Sequence, residues 1–86
     1  MSKYKSLKDH VYDYISEMIN NGTLSPNEKI NEQKISEELD ISRTPVREAL
    51  IQLVNEGYLE KKPRKGFLVK EVKEKSVEEV YQIIGV

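Results

Sequence analysis

A tight connection between two helical segments is the feature that most constrains what this chain can fold into. The segment from Glu32 to Leu39 has Asn31 as a candidate cap, and it carries Ile35 and Leu39 on one face because residues four apart are neighbours on a helix. It is too short to be stable alone and must dock on other elements. Only Asp40–Arg43 separates it from the next helical segment. Two helices joined by so short a turn predict a helix-turn-helix motif.

The second helix of this motif is expected to have two unlike faces. Thr44 is predicted as its N-cap and Pro45 as its first helical residue, where a missing N–H costs nothing, and Gly57 as its C-terminal stop. The apolar residues that point inward are Val46, Ala49, Leu50, Leu53 and Val54. Arg43 and Arg47 are four apart, so they project from the other side where both lie in the helix.

A longer helix is predicted before the motif, from about Ser6 to Asn20, where Ser6 and Asp9 resemble a capping box. Its apolar residues recur at helical spacing and form one stripe of Leu7, Val11, Tyr14, Ile15, Met18 and Ile19. We interpret the stripe as core packing, without a cofactor site in it. Gly22–Asn31 is predicted as a loop in which Lys29–Ile30 adds a very short strand.

Turn residues after the motif predict a β-hairpin. Tyr58–Lys62 and Phe67–Val72 are expected to form two short strands around the turn Pro63–Gly66. Two strands are marginal by themselves, so the hairpin must pack on the helices. The predicted fold class is therefore mainly α with a small β-hairpin wing: a winged helix-turn-helix of three helices plus a wing, over residues 6–72.

Residues 73–86 are predicted to be a linker and the start of a missing effector-binding domain. Ser76 can cap a further helix, and Glu78 and Glu79 suit its first turn. The apolar positions of that helix are Val80, Ile83 and Ile84. The helix stops before it could bury them, so the chain is interpreted as a fragment of a longer protein.

The charge is distributed unevenly along the chain. The formal net charge is −1, but seven lysines and arginines and two glutamates lie from Lys61 to Lys75, a local +5 that leaves −6 for the rest. A basic element on an acidic body can bind phosphates, because salt screens the repulsion beyond about 8–10 Å. A solvated charge run would account for the same composition.

The residue types present argue against several classes of function. The chain has no cysteine and a single histidine, His10, which leaves no thiolate or paired-histidine metal site, and no cofactor is expected in this chain. Catalysis needs positioned acids, bases or nucleophiles in a concave site, so an enzyme is not expected. Apolar runs are short and the start of the chain does not resemble a secretory signal, which predicts a cytoplasmic protein without a membrane partner.

The start of the second motif helix and the tip of the hairpin carry residues that suit DNA. Ser42, Arg43, Thr44 and Arg47 lie at the helix start, where unpaired N–H groups favour phosphate and arginine matches a guanine edge. Arg64, Lys65 and Gly66 lie at the hairpin tip, where glycine permits a close approach of the main chain. The alternative is structural: the arginines pair with Glu32 or Glu48, and the tip charges only discourage edge pairing.

These motifs resemble the GntR family of bacterial regulators. The resemblance covers about Leu7–Val72, and its matching segments are Gly22–Pro26, the run Ser-Arg-Thr-Pro-Val-Arg-Glu-Ala-Leu at Ser42–Leu50, Leu53, Glu56–Gly57 and Pro63–Phe67. A shorter segment, Ser76–Tyr81, resembles the start of the all-helical effector domain of the FadR-like (FCD) branch. An effector domain of that branch, often metal-dependent and binding small carboxylates, would follow Val86.

The resemblance implies a metabolite-responsive regulator, usually a repressor, that binds a palindromic operator in double-stranded DNA as a homodimer. The recognition helix would read the major groove through Arg43 and Arg47, with Ser42 and Thr44 on phosphates, and the wing tip would enter the minor groove. Without the effector domain, this fragment is expected to be a monomer or weak dimer that binds DNA poorly and responds to no metabolite.

The chain departs from the family pattern at three positions. Asn27 stands where glycine is common after Pro26, so that turn is expected to differ. Asp40 stands where glycine is common in the turn of the motif, and aspartate tolerates the left-handed conformation. Gln33 stands where some relatives have a DNA-contacting arginine. Gln33 and its neighbour Lys34 are both candidate DNA-contacting residues, and Lys34 is expected to compensate for the missing arginine. The rival to DNA binding is a winged helix that docks on another protein, for which the arginine face would be covered or charge-paired.

Overall fold

Local sequence signals set three helices and three short strands over residues 5–71, which are the residues that this computed structural model describes. In chain order the elements are α1 (Leu7–Asn20), β1 (Lys29–Ile30), α2 (Glu32–Leu39), α3 (Arg43–Asn55), β2 (Leu59–Lys62) and β3 (Gly66–Val69). The predicted winged helix-turn-helix of three helices and a wing is confirmed. The predicted linker over residues 73–86, with its helix from Ser76, lies outside the described residues.

The first two helices begin at the caps that the sequence predicts. The Ser6 hydroxyl accepts a hydrogen bond from the Asp9 N–H at 3.1 Å, and the Asp9 carboxylate accepts one from the Ser6 N–H at 3.2 Å, which completes a capping box. The Asn31 side chain accepts a hydrogen bond from the Lys34 N–H at 3.1 Å at the start of α2. Both caps bond to the third helical residue, so they satisfy donors that the helix start leaves unpaired.

The start predicted for α3 is wrong by two residues. The N-cap is Ser42 and the first helical residue is Arg43, whereas Thr44 and Pro45 were expected in these positions. None of the first N–H groups of a helix has a partner within it, so proline is tolerated at the third helical position as well as the first. Asp40 closes α2 in the left-handed conformation with φ 52°, which leaves only two residues before α3.

The wing is a three-stranded antiparallel sheet in the order β1-β3-β2. Phe67 in the central strand pairs with Ile30 of β1 on one side and with Lys61 of β2 on the other. The strand predicted to continue to Val72 ends at Val69, the partner of Leu59. One further backbone hydrogen bond follows this pair, from the Lys70 N–H to the Tyr58 carbonyl at 3.1 Å. Tyr58 lies in the bend between α3 and β2, so the strand pairing ends there.

The core lies between α1, α3 and the inner face of the sheet. The buried apolar side chains are Val11, Ile15, Ile30, Ile35, Val46, Ala49, Leu50, Leu53, Leu59, Phe67, Leu68 and Val69. All the predicted inward residues of α3 are buried except Val54, which is partly buried against the core. The core therefore fixes the rotation of α3 about its axis and leaves its opposite face exposed.

A hydrogen bond from the Tyr12 hydroxyl to the Glu56 carboxylate joins α1 to the end of α3. This bond raises the pKa of Tyr12 to about 12, with burial as the second cause, and lowers the pKa of Glu56. The contribution of Tyr12 to stability is thus present at neutral pH and is lost as the pH rises toward 12.

No helix among residues 5–71 has the length and hydropathy needed to cross a membrane.

Candidate nucleic-acid interface

The exposed face of α3 is formed by residues that recur at helical spacing opposite the core. One shallow hollow of about 400 Å³ on this face is lined by Arg43, Thr44, Arg47, Glu48 and Ile51. The same helix buries Val46, Ala49, Leu50 and Leu53 on its other side. This division confirms that Arg43 and Arg47 project from one side, and the earlier start of α3 places both of them within the helix.

Glu32, the first residue of α2, holds both arginines. Its Oε1 lies 2.9 Å from Nη2 of Arg43 and 2.6 Å from Nη2 of Arg47, and its Oε2 lies 3.3 Å from Nε of Arg47. The Glu32 side chain is only 14% exposed, whereas those of Arg43 and Arg47 are 57% and 59% exposed. The carboxylate therefore lies beneath the two guanidinium groups and orients them without covering them.

The electrostatics of this cluster favour the charged forms. The hydrogen bond from Arg47 lowers the pKa of Glu32 and outweighs the opposing effect of burial, and the bond from Arg43 acts in the same direction. The same pair raises the pKa of Arg47. Because the pKa of Glu32 lies below its ordinary 4.5, the cluster is intact at neutral pH and is lost only as the pH falls through that lowered pKa.

The guanidinium group can bind Glu32 and a base at once, since it carries five N–H donors in a planar fork. Arg47 uses Nε and Nη2 on the carboxylate. The edge formed by Nη1 and the second N–H of Nη2 is left for an acceptor pair. Of the two carboxylates that the sequence offered as partners, Glu32 holds both arginines, and Glu48 remains exposed on the outer face.

Ser42 caps α3 by its backbone conformation alone. Its φ and ψ of −63° and 163° are those of an N-cap, but its hydroxyl makes no capping hydrogen bond. In α1 and α2 the cap bonds to the N–H of the third helical residue. In α3 that residue is Pro45, which has no N–H. The Ser42 hydroxyl is consequently not engaged in the first turn, beside Arg43 and Thr44.

This difference between caps predicts unequal effects on stability. Ser6→Ala should lower the free energy of unfolding by about 1 kcal/mol, because it removes a capping bond. Ser42→Ala should change it by less than about 0.5 kcal/mol, as at an ordinary surface position. Urea unfolding of the two variants measures both values, and equal losses would show that Ser42 does cap α3.

The wing tip is a tight turn over Pro63–Lys65 that is followed by Gly66 at the start of β3. Arg64 and Gly66 both have positive φ, at 68° and 77°, and the Lys65 N–H donates to the Lys62 carbonyl at 3.2 Å. A Cβ built on Gly66 would meet nothing within 4 Å, so the backbone conformation and not crowding favours glycine there. Arg64 and Lys65 are exposed at the tip.

A groove of about 470 Å³ separates α3 from the wing. Its charged lining residues are Lys29, Arg43, Arg47 and Lys61, together with Glu32. Lys61 lies over the ring of Phe67, with its Nζ 5.4 Å from the ring centroid. Lys29 and Lys61 were not predicted as site residues, because it is the pairing of β1 and β2 with β3 that brings them beside α3. The signal in the sequence that pointed to Lys61 was the local charge of +5 from Lys61 onward.

Two of the residues that depart from the family pattern have a left-handed backbone conformation. Asn27 and Asp40 have φ of 68° and 52°, the left-handed conformation that glycine would supply. Gln33 is exposed on α2, and its Nε2 lies 3.4 Å from Oε2 of Glu37. Lys34 is also exposed but lines a hollow between α1 and α2, on another side of α2 from the arginine groove. The predicted DNA contacts of Gln33 and Lys34 stay predictions.

The fold and the exposed basic face of α3 beside a basic wing define a winged helix-turn-helix domain. The family model described as bacterial regulatory proteins, gntR family, matches residues 7–69. The chain belongs to this family and forms the DNA-binding domain of a transcription regulator.

Known proteins similar to this chain are bacterial regulators. It is 39% identical over 72 residues to an uncharacterized HTH-type transcriptional regulator of Bacillus subtilis (strain 168), YdhC, in an alignment covering 84% of this chain and 32% of YdhC. The E. coli McbR/YncC structure superposes with a TM-score of 0.78 at 32% identity, covering 93% of this chain and 38% of that one. The AraR DNA-binding domain in complex with operator ORR3 gives a TM-score of 0.71 at 30% identity, covering 80% and 86%. This chain thus spans about a third of YdhC and McbR.

Proposed function

We propose that this domain binds a specific operator sequence in double-stranded DNA, with α3 in the major groove and the wing tip in the minor groove. The observation that carries the proposal is the pair Arg43 and Arg47, held side by side by Glu32 while more than half of each side chain stays exposed. Arginines fixed in this way lose less conformational freedom when they bind a base edge, which favours specific readout.

The start of α3 suits a phosphate group of the DNA backbone. The first turn of α3 contains no acidic residue, and the Ser42 and Thr44 side chains are exposed there. The positive end of the helix dipole and these hydroxyl groups favour a phosphate oxygen. The groove beside them carries Lys29 and Lys61, which extend the positive surface from α3 toward the wing.

The AraR DNA-binding domain, which is similar to this chain, is in complex with operator ORR3, and this similarity supports the proposed binding to an operator. We further infer that the whole regulator acts as a cytoplasmic homodimer on a palindromic operator, as a metabolite-responsive repressor. The FadR-like branch is proposed from the segment Ser76–Tyr81 alone, which lies outside the described residues. A monomer or weak dimer is expected for the 86-residue chain.

One observation favours a second candidate, a module that docks on another protein. The arginines of α3 are charge-paired, as expected for a docking module, although their partner is Glu32 of the same domain. A docking module would bind DNA weakly and without sequence preference. The two candidates therefore differ in whether a DNA sequence is selected.

The experiment that tests the proposal is selection from a random double-stranded DNA pool at two salt concentrations. Enrichment of a short motif by the 86-residue chain, with the preference at one base pair relaxed in Arg47→Ala, would establish a base-reading winged helix and give the half-site. Salt-sensitive binding without enrichment would limit this chain to phosphate contacts. No binding at low salt would favour the docking module.

Lys65→Ala is expected to weaken binding to all DNA sequences alike. Lys65 lies at the exposed wing tip, where a lysine contributes a point charge to the phosphate backbone. The slope of log K against log salt should fall by about one, and the selected motif should not change. A salt titration on the selected and on a scrambled duplex measures both effects; a change in the selected motif would instead assign Lys65 to base readout.

A further inference from the structure

The outer face of α3 carries one large apolar side chain in continuity with its arginines. Ile51 is 42% exposed and lies four residues beyond Arg47 and eight beyond Arg43, on the same row of the helix. It borders the same hollow as both arginines, together with Thr44 and Glu48. Single exposed apolar residues are ordinary. Ile51 differs from them because it lies at the end of the row formed by Arg43 and Arg47, on the face proposed to contact DNA.

We propose that Ile51 contacts the C5-methyl group of a thymine and thereby specifies a T·A pair in the half-site. This inference rests on the proposed DNA binding and adds a second kind of readout to it. The thymine methyl is the apolar group that base edges present in the major groove. Arg43 and Arg47 hold this face against DNA, while the exposed carboxylate of Glu48 disfavours phosphate beside Ile51. The row at Ile51 therefore suits base edges and not the strand backbone.

The contact also determines how α3 lies on DNA. Eight residues of α-helix separate Arg43 from Ile51, which is about 12 Å along the axis. The major groove is about 8.5 Å deep. A helix inserted end-on with Arg43 at the floor would leave Ile51 outside the groove. Ile51 reaches a base only if α3 lies along the groove, with its arginine row toward the floor.

A second protein copy is the competing occupant of this surface. Ile51 also borders the groove of about 830 Å³ between α1 and α3, which Leu7 lines from the other side. Leu7 is 55% exposed and lies outside the arginine hollow. A protein seated in that groove would cover both side chains, whereas a thymine methyl would contact Ile51 alone. Leu7 is thus the matched control.

The test replaces each thymine of the selected half-site by deoxyuridine, one position at a time, with the 86-residue chain. Loss of one methyl contact should weaken binding about three- to five-fold at a single position. Ile51→Ala should bind the thymine duplex and the deoxyuridine duplex with equal affinity. Ile51→Val, which keeps a branched apolar side chain, and Leu7→Ala should both retain the preference for thymine.

Three results would overturn the inference. A half-site without thymine, or one that tolerates deoxyuridine at every position, excludes a methyl contact while DNA binding through Arg43 and Arg47 stands. If Leu7→Ala and Ile51→Ala lost DNA affinity equally while the thymine preference stayed unchanged, the surface would be assigned to a contact with a second protein copy. Absence of any selected half-site would remove both the proposed function and the thymine contact.

Discussion

Arg47→Ala should weaken binding to the selected half-site by about 5- to 150-fold and relax the preference at one base pair. The expectation follows from the free edge of the guanidinium group, which points away from the carboxylate that holds its Nε and Nη2. Removing Arg47 also leaves Glu32 with Arg43 as its remaining partner, so part of the loss arises from the changed position of Arg43. Fluorescence anisotropy on the half-site and on single-base variants measures both quantities.

Arg47→Lys is the matched control for charge. Lysine keeps the positive charge but lacks the planar fork, so nonspecific binding and its salt dependence should be retained while base preference is lost. If Arg47→Ala weakened binding to every sequence equally, Arg47 would be a phosphate contact and its role in base readout would be wrong.

Leu50→Ala should destabilise the domain by about 2–5 kcal/mol, the cost of a cavity in a packed core. Leu50 is 0% exposed and lies on the face of α3 opposite the arginines. Native domains are stable by only about 5–15 kcal/mol, and small ones lie at the low end, so this variant should be partly unfolded near physiological temperature. Urea unfolding followed by circular dichroism gives the free energy.

The neighbouring Ile51 provides the control for this loss, because 42% of its surface is already exposed. Ile51→Ala should change the free energy of unfolding by less than about 0.5 kcal/mol. Similar losses for the two variants would show that the outer face of α3 is covered in solution, which is incompatible with a free DNA-binding surface.

The elements that the sequence predicted correctly are those that local chemistry determines. Ser6 and Asp9 cap α1 within one turn, and Asp40 and Gly57 end helices through left-handed backbone conformations. The apolar spacing of α3 also predicted its buried face, since helical period and core burial coincide there. The start of α3 was missed because Pro45 fits several positions of a first turn equally well.

The site was only partly predictable, because its geometry depends on contacts between distant segments. Arg43 and Arg47 were identified from their spacing, but the sequence offered Glu32 and Glu48 as partners and could not choose between them. The choice follows from the packing of α2 against α3, which brings Glu32 to the arginines. Lys29 and Lys61 enter the groove through the pairing of β1 and β2 with β3. The sequence predicted these strands but not that their pairing places the two lysines beside α3.

The carboxylate shared by Arg43 and Arg47 has a consequence for how operator preference can diverge among relatives. Either arginine, when replaced, alters the charge balance and geometry at the other, so the two substitutions should be epistatic. A new half-site would then be reached more readily by paired changes, or by a change at Glu32 first, than by independent single steps. Ile51 makes no such shared contact with Glu32, which leaves it free to vary alone.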